Sequence, residues 1–125
     1  MIEFSVQMAN RPGQLATLAR ELGGSGVNIQ ALAAMTDGEE GQVKMVVDNE
    51  GIARRVLLDA GLHFNERRII SAILHDKPGA LADMAEALAE TGINIEAMYL
   101  LQSSPEGLHF AVAVDDPDTA QQIAV

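Results

Sequence analysis

Cysteine is missing from this sequence of 125 residues, and aromatic side chains make up only 3% of it. Without cysteine, the chain can form neither a disulfide nor a thiolate metal site. Hydrophobic residues still account for 48% of the chain. The expected core therefore consists of Ala, Leu, Ile, Val and Met side chains.

Basic residues are also scarce: 8 lysines and arginines stand against 18 acidic residues, which gives a net charge of −10. This balance argues against nucleic acid and against an anionic membrane surface as partners, because both require a basic face. The sequence has no signal-peptide pattern and no apolar run long enough to cross a bilayer. We therefore expect a soluble cytoplasmic protein without a membrane or nucleic-acid partner.

Two stretches of the chain are copies of each other. Residues 10–34 read NRPGQLATLARELGGSGVNIQALAA, and residues 76–100 read DKPGALADMAEALAETGINIEAMYL, at a constant offset of 66 residues. The Pro-Gly pairs and the Asn-Ile pairs coincide, which indicates a tandem duplication of one small unit. The expected domains are residues 1–67 and 68–125, each near the lower size limit for independent folding.

The first copy alternates between strand and helix patterns. Residues 2–8 alternate apolar and polar side chains, as in a half-buried strand with Glu3 and Ser5 on the polar face. Pro12 suits the start of a helix, Leu15 lies on the apolar stripe of that helix, and a glycine-rich segment ends it. Two strands joined by a hairpin, a second helix and a fourth strand follow. The predicted fold is α+β, a ferredoxin-like βαββαβ unit with an antiparallel sheet and both helices on one face.

The second copy repeats this order with two differences. Beyond its hairpin the offset becomes 67, so we expect the turn at residues 103–107 to be one residue longer. Its last strand has no matching sequence, which should leave the strand of residues 68–75 at an open edge of the sheet. That strand is apolar on both faces, and we expect it to be deeply buried. Either the chain was cut short or a partner strand covers the edge.

The loop into the first helix of each copy is the candidate binding site. The amide groups of Gly13, Gln14 and Leu15 should lack intrahelical acceptors, and with the helix dipole they favour a carboxylate. Asn10 at the lip of the loop and Asn28 at the start of the next strand could reach the same space. An α-amino acid needs such a mixture of donors and acceptors.

Two other interpretations of this loop stay open. The Pro-Gly pair and Asn28 could serve only the backbone of the turn. In the second copy Asp76 replaces Asn10, and its carboxylate could occupy the helix start and repel a ligand, an effect that Lys77 only partly offsets.

Nothing in the sequence resembles the residue set of an enzyme. His63, His75 and His109 have no metal-ligand spacing, and Ser103-Ser104 has no histidine or lysine nearby in sequence to activate a hydroxyl. We therefore expect no catalytic activity, no metal site and no cofactor.

The two repeated motifs resemble the signature of ACT domains. They read N-R-P-G-x-L-A-x-L-A-x-x-L with G-V-N-I in the first copy and D-K-P-G-x-L-A-x-M-A-x-x-L with G-I-N-I in the second. The resemblance covers nearly the whole chain. It implies a stand-alone pair of regulatory domains, with an amino-acid effector held at the loops and the domain interface, a homodimer, and a metabolic enzyme as a further partner. The ligand-binding residues that it implies are Asn10, Arg11, Pro12, Gly13, Gln14, Leu15, Asn28 and Ile29 in the first copy, and Asp76, Lys77, Pro78, Gly79, Ala80, Leu81, Asn94 and Ile95 in the second.

Two functions of different classes remain open at this point. One is a regulatory protein that senses an amino acid or a related small carboxylate. The other is an interaction subunit whose sheet edge docks on a metabolic enzyme and which binds no ligand. In the second case, substitution of Asn10 or Asn28 should be silent.

Overall fold

The computed structural model describes residues 1–124. The chain divides into two compact units. The first comprises Ile2–Arg67, and the second begins at Arg68 and includes Met1. Among the described helices, none is long and apolar enough to cross a membrane.

The first unit has the predicted β-α-β-β-α-β order. Strand β1 is antiparallel to β3, β3 is antiparallel to β2, and the order across the sheet is β2-β3-β1-β4. This arrangement confirms the ferredoxin-like prediction. The elements are β1 (Ile2–Ala9), α1 (Gln14–Gly24), β2 (Ile29–Asp37), β3 (Glu40–Val47), α2 (Glu50–Asp59) and β4 (Phe64–Arg68).

Both helices of the first unit pack on one face of its sheet. Phe4 of β1 and Met45 of β3 meet Leu22 of α1 and Leu57 of α2, and all four side chains are fully buried. Each such side chain contributes about 1.5–3 kcal/mol on burial. Aliphatic and methionine side chains supply most of this core, as the composition predicted.

The second unit repeats the order up to its second helix. Its sheet has three strands in the order β5-β7-β6, so β5 is an edge strand within the described residues. The expectation that this strand is buried on both faces is wrong at Ile73, whose side chain is 49% exposed. The elements are β5 (Ile70–Leu74), α3 (Ala80–Glu90), β6 (Ile95–Ser104), β7 (Gly107–Val114) and α4 (Pro117–Ala124).

The extra residue of the second copy lies in a strand and not in the turn. Both hairpins have two-residue turns, Gly38-Glu39 in the first unit and Pro105-Glu106 in the second. The pairing of β6 with β7 shifts between Leu100 and Gln102, whereas β2 and β3 pair without a shift at the matching place. The expected longer turn is therefore wrong, because a β-bulge at Leu101 absorbs the insertion.

Helix α1 has different limits from those expected. It begins at Gln14, two residues after Pro12, and it contains Gly23 and Gly24. The left-handed residue beyond its end is Gly26, with φ of 78°. Two helical glycines thus continue α1, and only the third serves as the left-handed residue of a C-terminal cap.

Two leucines expected in the core are exposed. Leu15 of α1 is 40% exposed and Leu81 of α3 is 54% exposed. Both lie in the first turn of their helix. The apolar stripe of each helix therefore reaches the core only from its second turn, at Leu18 and Met84.

Candidate functional site

The loop between the first strand and the first helix has the same backbone in both units. Gly13 precedes α1 with φ of 89° and ψ of −11°, and Gly79 precedes α3 with φ of 90° and ψ of −14°. A residue with a side chain adopts these angles only with strain, whereas glycine adopts them readily. The two glycines therefore fix one shared loop geometry.

The start of α1 offers fewer free amide groups than expected. The N–H group of Gln14 donates to the carbonyl oxygen of Arg11 at 3.3 Å, so its expected availability is wrong. The N–H groups of Gly13 and Leu15 make no hydrogen bond within the described chain, and no side chain caps the helix. The helix start therefore keeps donors and a positive dipole end for an anion.

Asn10 ties the loop to the neighbouring hairpin. Its Nδ2 donates to the carbonyl oxygen of Gly38 at 2.8 Å, and its backbone N–H donates to the carbonyl oxygen of Glu39 at 2.8 Å. An ionised Asp76 has no donor with which to repeat the side-chain bond. Asn10 thus has a structural role, and its Oδ1 still makes no hydrogen bond within residues 1–124.

A cavity of about 130 Å³ adjoins this loop in the first unit. Four of the predicted binding residues line it, whereas Pro12 and Gly13 lie in the loop outside its wall. Its volume matches a handful of water molecules or a ligand of a few heavy atoms. The lining residues are Asn10, Arg11, Gln14 and Leu15 of the loop and helix, with Met8, Ala9, Ala34, Met35, Thr36, Gly41, Gln42 and Val43 of the strands.

An open groove of about 910 Å³ lies next to the cavity and shares part of its wall, including Met8 and Met35. Asp37, Glu39 and Glu40 are among its lining residues. Acidic residues thus line the groove, and residues of the helix start line the cavity that shares Met8 and Met35 with it. An α-amino acid has the complementary pair of charges.

Asn28 lies far from Asn10 within the unit. Its N–H donates to Oδ1 of Asp48 at 2.9 Å, and Ile29 pairs with Val47. These contacts are at the end of β3 opposite to the end that adjoins Asn10, roughly 25 Å away at about 3.4 Å per residue. The expectation that the two asparagines reach one space within a unit is therefore wrong.

In the second unit, Asn94 makes the same contact as Asn28, but the loop before α3 has different surroundings from the loop before α1. The N–H of Asn94, beside Ile95 at the start of β6, donates to Oδ1 of Asp115 at 3.0 Å. In the loop, which contains Lys77 and Pro78, the N–H of Ala80 donates to the carbonyl oxygen of Lys77 at 3.3 Å. The bulge at Leu101 falls where the cavity wall of the first unit has regular strand. The two loops therefore share a backbone but face different walls.

Sequence reasoning missed a contact between a serine and a histidine. Ser104 Oγ lies 2.9 Å from Nε2 of His109, and the N–H of Glu106 donates to Ser104 Oγ at 3.2 Å. The expectation of no neighbouring histidine is wrong, because a hairpin brings residues five apart in sequence together. Among residues 1–124, no group of His, Asp or Glu side chains is placed to hold a metal ion.

Comparison with known proteins gives a family for part of the chain and a fold for nearly all of it. The family model of the ACT domain matches residues 68–124. No protein with a curated function matches the sequence. The structure is similar to protein BT0572 from Bacteroides thetaiotaomicron, with a TM-score of 0.86 and 21% identity over 97% of this chain and 83% of that one.

Two aspartate kinase regulatory subunits also have a similar structure. The subunit from Thermus thermophilus gives a TM-score of 0.70 at 19% identity, and the one from Thermus flavus gives 0.63 at 18% identity. Each comparison covers 97% of this chain and 88% of the other. At these identities the likeness shows a shared fold.

Proposed function

Since residues 68–124 are an ACT domain and the first unit repeats its sequence and topology, we propose that the chain is a small-molecule-sensing regulatory protein of two ACT domains, residues 1–67 and 68–125. Its effector is an amino acid or a related small carboxylate. The observation that carries this proposal is the cavity beside the uncapped start of α1.

Each end of an amino acid has a complementary group at this loop. The carboxylate would accept a hydrogen bond from the N–H group of Leu15, and Arg11 in the cavity wall adds a positive charge. The ammonium would face Asp37 and Glu39 of the adjoining groove. The cavity and the groove thus offer a positive charge, negative charges and the apolar side chains of Met8 and Met35.

We propose that the loop of the first unit is the working site. In the second unit Asp76 introduces a carboxylate beside the helix start, where it would repel a carboxylate ligand. The bulge at Leu101 also changes the strand at the place of the cavity wall. The loop of the second unit therefore keeps its shape without a favourable setting for a carboxylate ligand. Its residues are Pro78, Gly79, Ala80 and Leu81. Asn28 does not reach the loop of its own unit, and the proposed homodimer could bring Asn28 or Asn94 of one copy to the loop of the other.

The second candidate function is an interaction subunit of a metabolic enzyme that binds no ligand. The edge position of β5 within the described residues, where Ile73 is 49% exposed, favours it. An edge strand presents unpaired backbone N–H and C=O groups to another chain. Both proposals place the protein in the cytoplasm.

A thermal-shift screen of the whole chain against the twenty amino acids tests the sensing function. Each ligand is tested with the wild type and with Gly13→Ala and Gly79→Ala. An added Cβ at either glycine has no neighbouring atom within 4 Å, so the two variants suffer the same backbone strain. A ligand at a hundred times its Kd should stabilise the wild type by about 2.7 kcal/mol.

The expected result is a shift for at least one amino acid that survives in Gly79→Ala and disappears in Gly13→Ala. A shift lost equally in both variants would contradict the assignment to the first unit. A flat screen on folded protein would favour the interaction subunit.

A further inference from the structure

The sheet of the first unit carries charged and polar side chains on the face opposite its helices. We call Glu3 and Ser5 of β1, Lys44 of β3 and Arg67 of β4 the outer-face cluster. Because successive side chains of a strand point to opposite faces, Glu3 and Ser5 lie on the other side from Phe4. Glu3 is 0% exposed and Ser5 is 9% exposed, so the predicted polar face is buried at both positions.

The buried carboxylate of Glu3 lies near two cations. Its Oε1 accepts a hydrogen bond from Arg67 Nε at 2.9 Å, and Lys44 Nζ lies 3.6 Å from the same atom. The Lys44 side chain is 13% exposed and that of Arg67 is 32% exposed. Removing charges from water is costly unless each is paired, and here both cations approach the same carboxylate oxygen.

The fold itself does not require these charges. The second unit has Ile69 at the position of Glu3 and Ala111 at the position of Lys44, and both are buried. The second copy thus has apolar residues in place of this charged pair. The charged residues of the first unit therefore call for a reason other than the topology.

A cavity of about 420 Å³ opens beside the outer-face cluster. The Lys44 ammonium has three donors, and among the described residues one of them is used, in the hydrogen bond from Nζ to Ser5 Oγ at 2.9 Å. Glu66 in the wall is occupied by Arg54, whose Nε and Nη2 donate to its two carboxylate oxygens at 2.6 and 2.5 Å. The lining residues are Ser5, Gln42, Lys44, Asn65, Glu66 and Arg67.

We propose that this cavity binds a small oxyanion, either a carboxylate or a phosphate. The Lys44 ammonium is its principal contact, with Arg67 as a second positive charge and the Gln42 and Asn65 amides as neutral donors. Lys44 and Arg67 lie on the other face of the sheet from α1, and neither lines the loop cavity, although Gln42 lines both cavities. The proposal therefore does not rest on the proposed function. The oxyanion would satisfy the ammonium donors that the protein leaves unused.

The test is a two-dimensional 15N–1H NMR titration of the whole chain. Inorganic phosphate and malonate are added separately, with sodium chloride keeping the ionic strength constant. The expected result is saturable shifts of the Ser5, Lys44 and Arg67 amide signals with one of the two anions, which also identifies the ligand chemistry. Chloride alone should cause no such shifts.

Two substitutions with an equal change in charge complete the experiment. Lys44→Gln should weaken binding at least about tenfold, the loss expected for one charge-assisted hydrogen bond. Arg55→Gln removes a cation from an exposed position on α2 of the same unit and should leave binding unchanged. Shifts that do not saturate, that centre on residues 10–15, or that weaken equally in both variants would overturn the proposal. If Lys44→Gln does not fold, the wild-type titration decides by the location and saturation of the shifts.

Discussion

One of the three residue differences between the two loops changes their hydrogen bonding, although the backbone is the same. Asn10 donates to the carbonyl oxygen of Gly38 and so fastens the loop to the β2–β3 hairpin, whereas Asp76 in the second unit has no donor for such a bond when ionised. The glycines at the two helix starts differ by only 1° in φ. Duplication has thus kept the shape of the loop while its hydrogen-bonding chemistry changed.

The Arg54–Glu66 pair gives a prediction of pH dependence at the same scale. The two hydrogen bonds from the Arg54 guanidinium lower the pKa of the Glu66 carboxyl below its ordinary value. A lowered pKa in the folded state stabilises the protein above the unfolded pKa, and this contribution is lost as the pH falls through the folded pKa. Glu66→Gln should therefore reduce the loss of stability between about pH 5 and pH 3, as measured by urea unfolding.

Glu86→Gln supplies the control for that measurement. Glu86 is exposed on α3, and its substitution removes the same charge without removing an ion pair. If the two variants show equal pH profiles, the stabilisation by the Arg54–Glu66 pair is refuted.

At the scale of elements, strand β6 shows how the fold accepts an inserted residue. The turn Pro105-Glu106 keeps the two-residue length of its counterpart Gly38-Glu39, and Leu101 bulges from the strand. A one-residue change within a two-residue turn would shift the register and move side chains to the wrong face of the sheet. A bulge confines the disturbance to one place in the ladder.

Two single-residue deletions test this account. Deleting Leu101 should leave a folded protein, because β2 and β3 already pair without a bulge at the matching place. Deleting Pro105 should cost more stability, since the turn can no longer join β6 and β7 in register. The free energy of unfolding of each variant in urea gives the comparison. A greater loss on deletion of Leu101 would show that the bulge itself stabilises the unit.

At the scale of the whole molecule, the net charge of −10 predicts a dependence on salt. Repulsion among excess carboxylates destabilises the compact state, and salt screens it within about 10 Å at 0.1 M. The melting temperature at pH 7 should therefore rise by a few degrees between low and moderate sodium chloride concentrations. The rise should shrink near pH 4.5, which is the pI of the sequence. A melting temperature that falls with salt at pH 7 would mean that attractive ion pairs outweigh the repulsion.

The sequence alone determined the repeated α+β fold. Both signals are local: alternation with a period of two residues predicted β1, and apolar residues recurring with the helical period predicted α1. The constant offset between the copies extended these predictions from one unit to the next. The three-stranded sheet of the second unit followed from the same alignment.

Only the tertiary structure decided what surrounds each candidate residue. The sequence predicted that Asn28 and Asn10 reach the same space, whereas they lie near opposite ends of β3, because strand pairing fixes their distance. The bulge at Leu101 looked like a longer turn, since a sequence offset does not show which residue loses its partner. Glu3 looked like a residue of a polar face, and its burial among cations depends on side chains up to 64 positions away. Periodicity fixes the face on which a side chain lies, whereas burial and partners are set by contacts between distant parts of the chain.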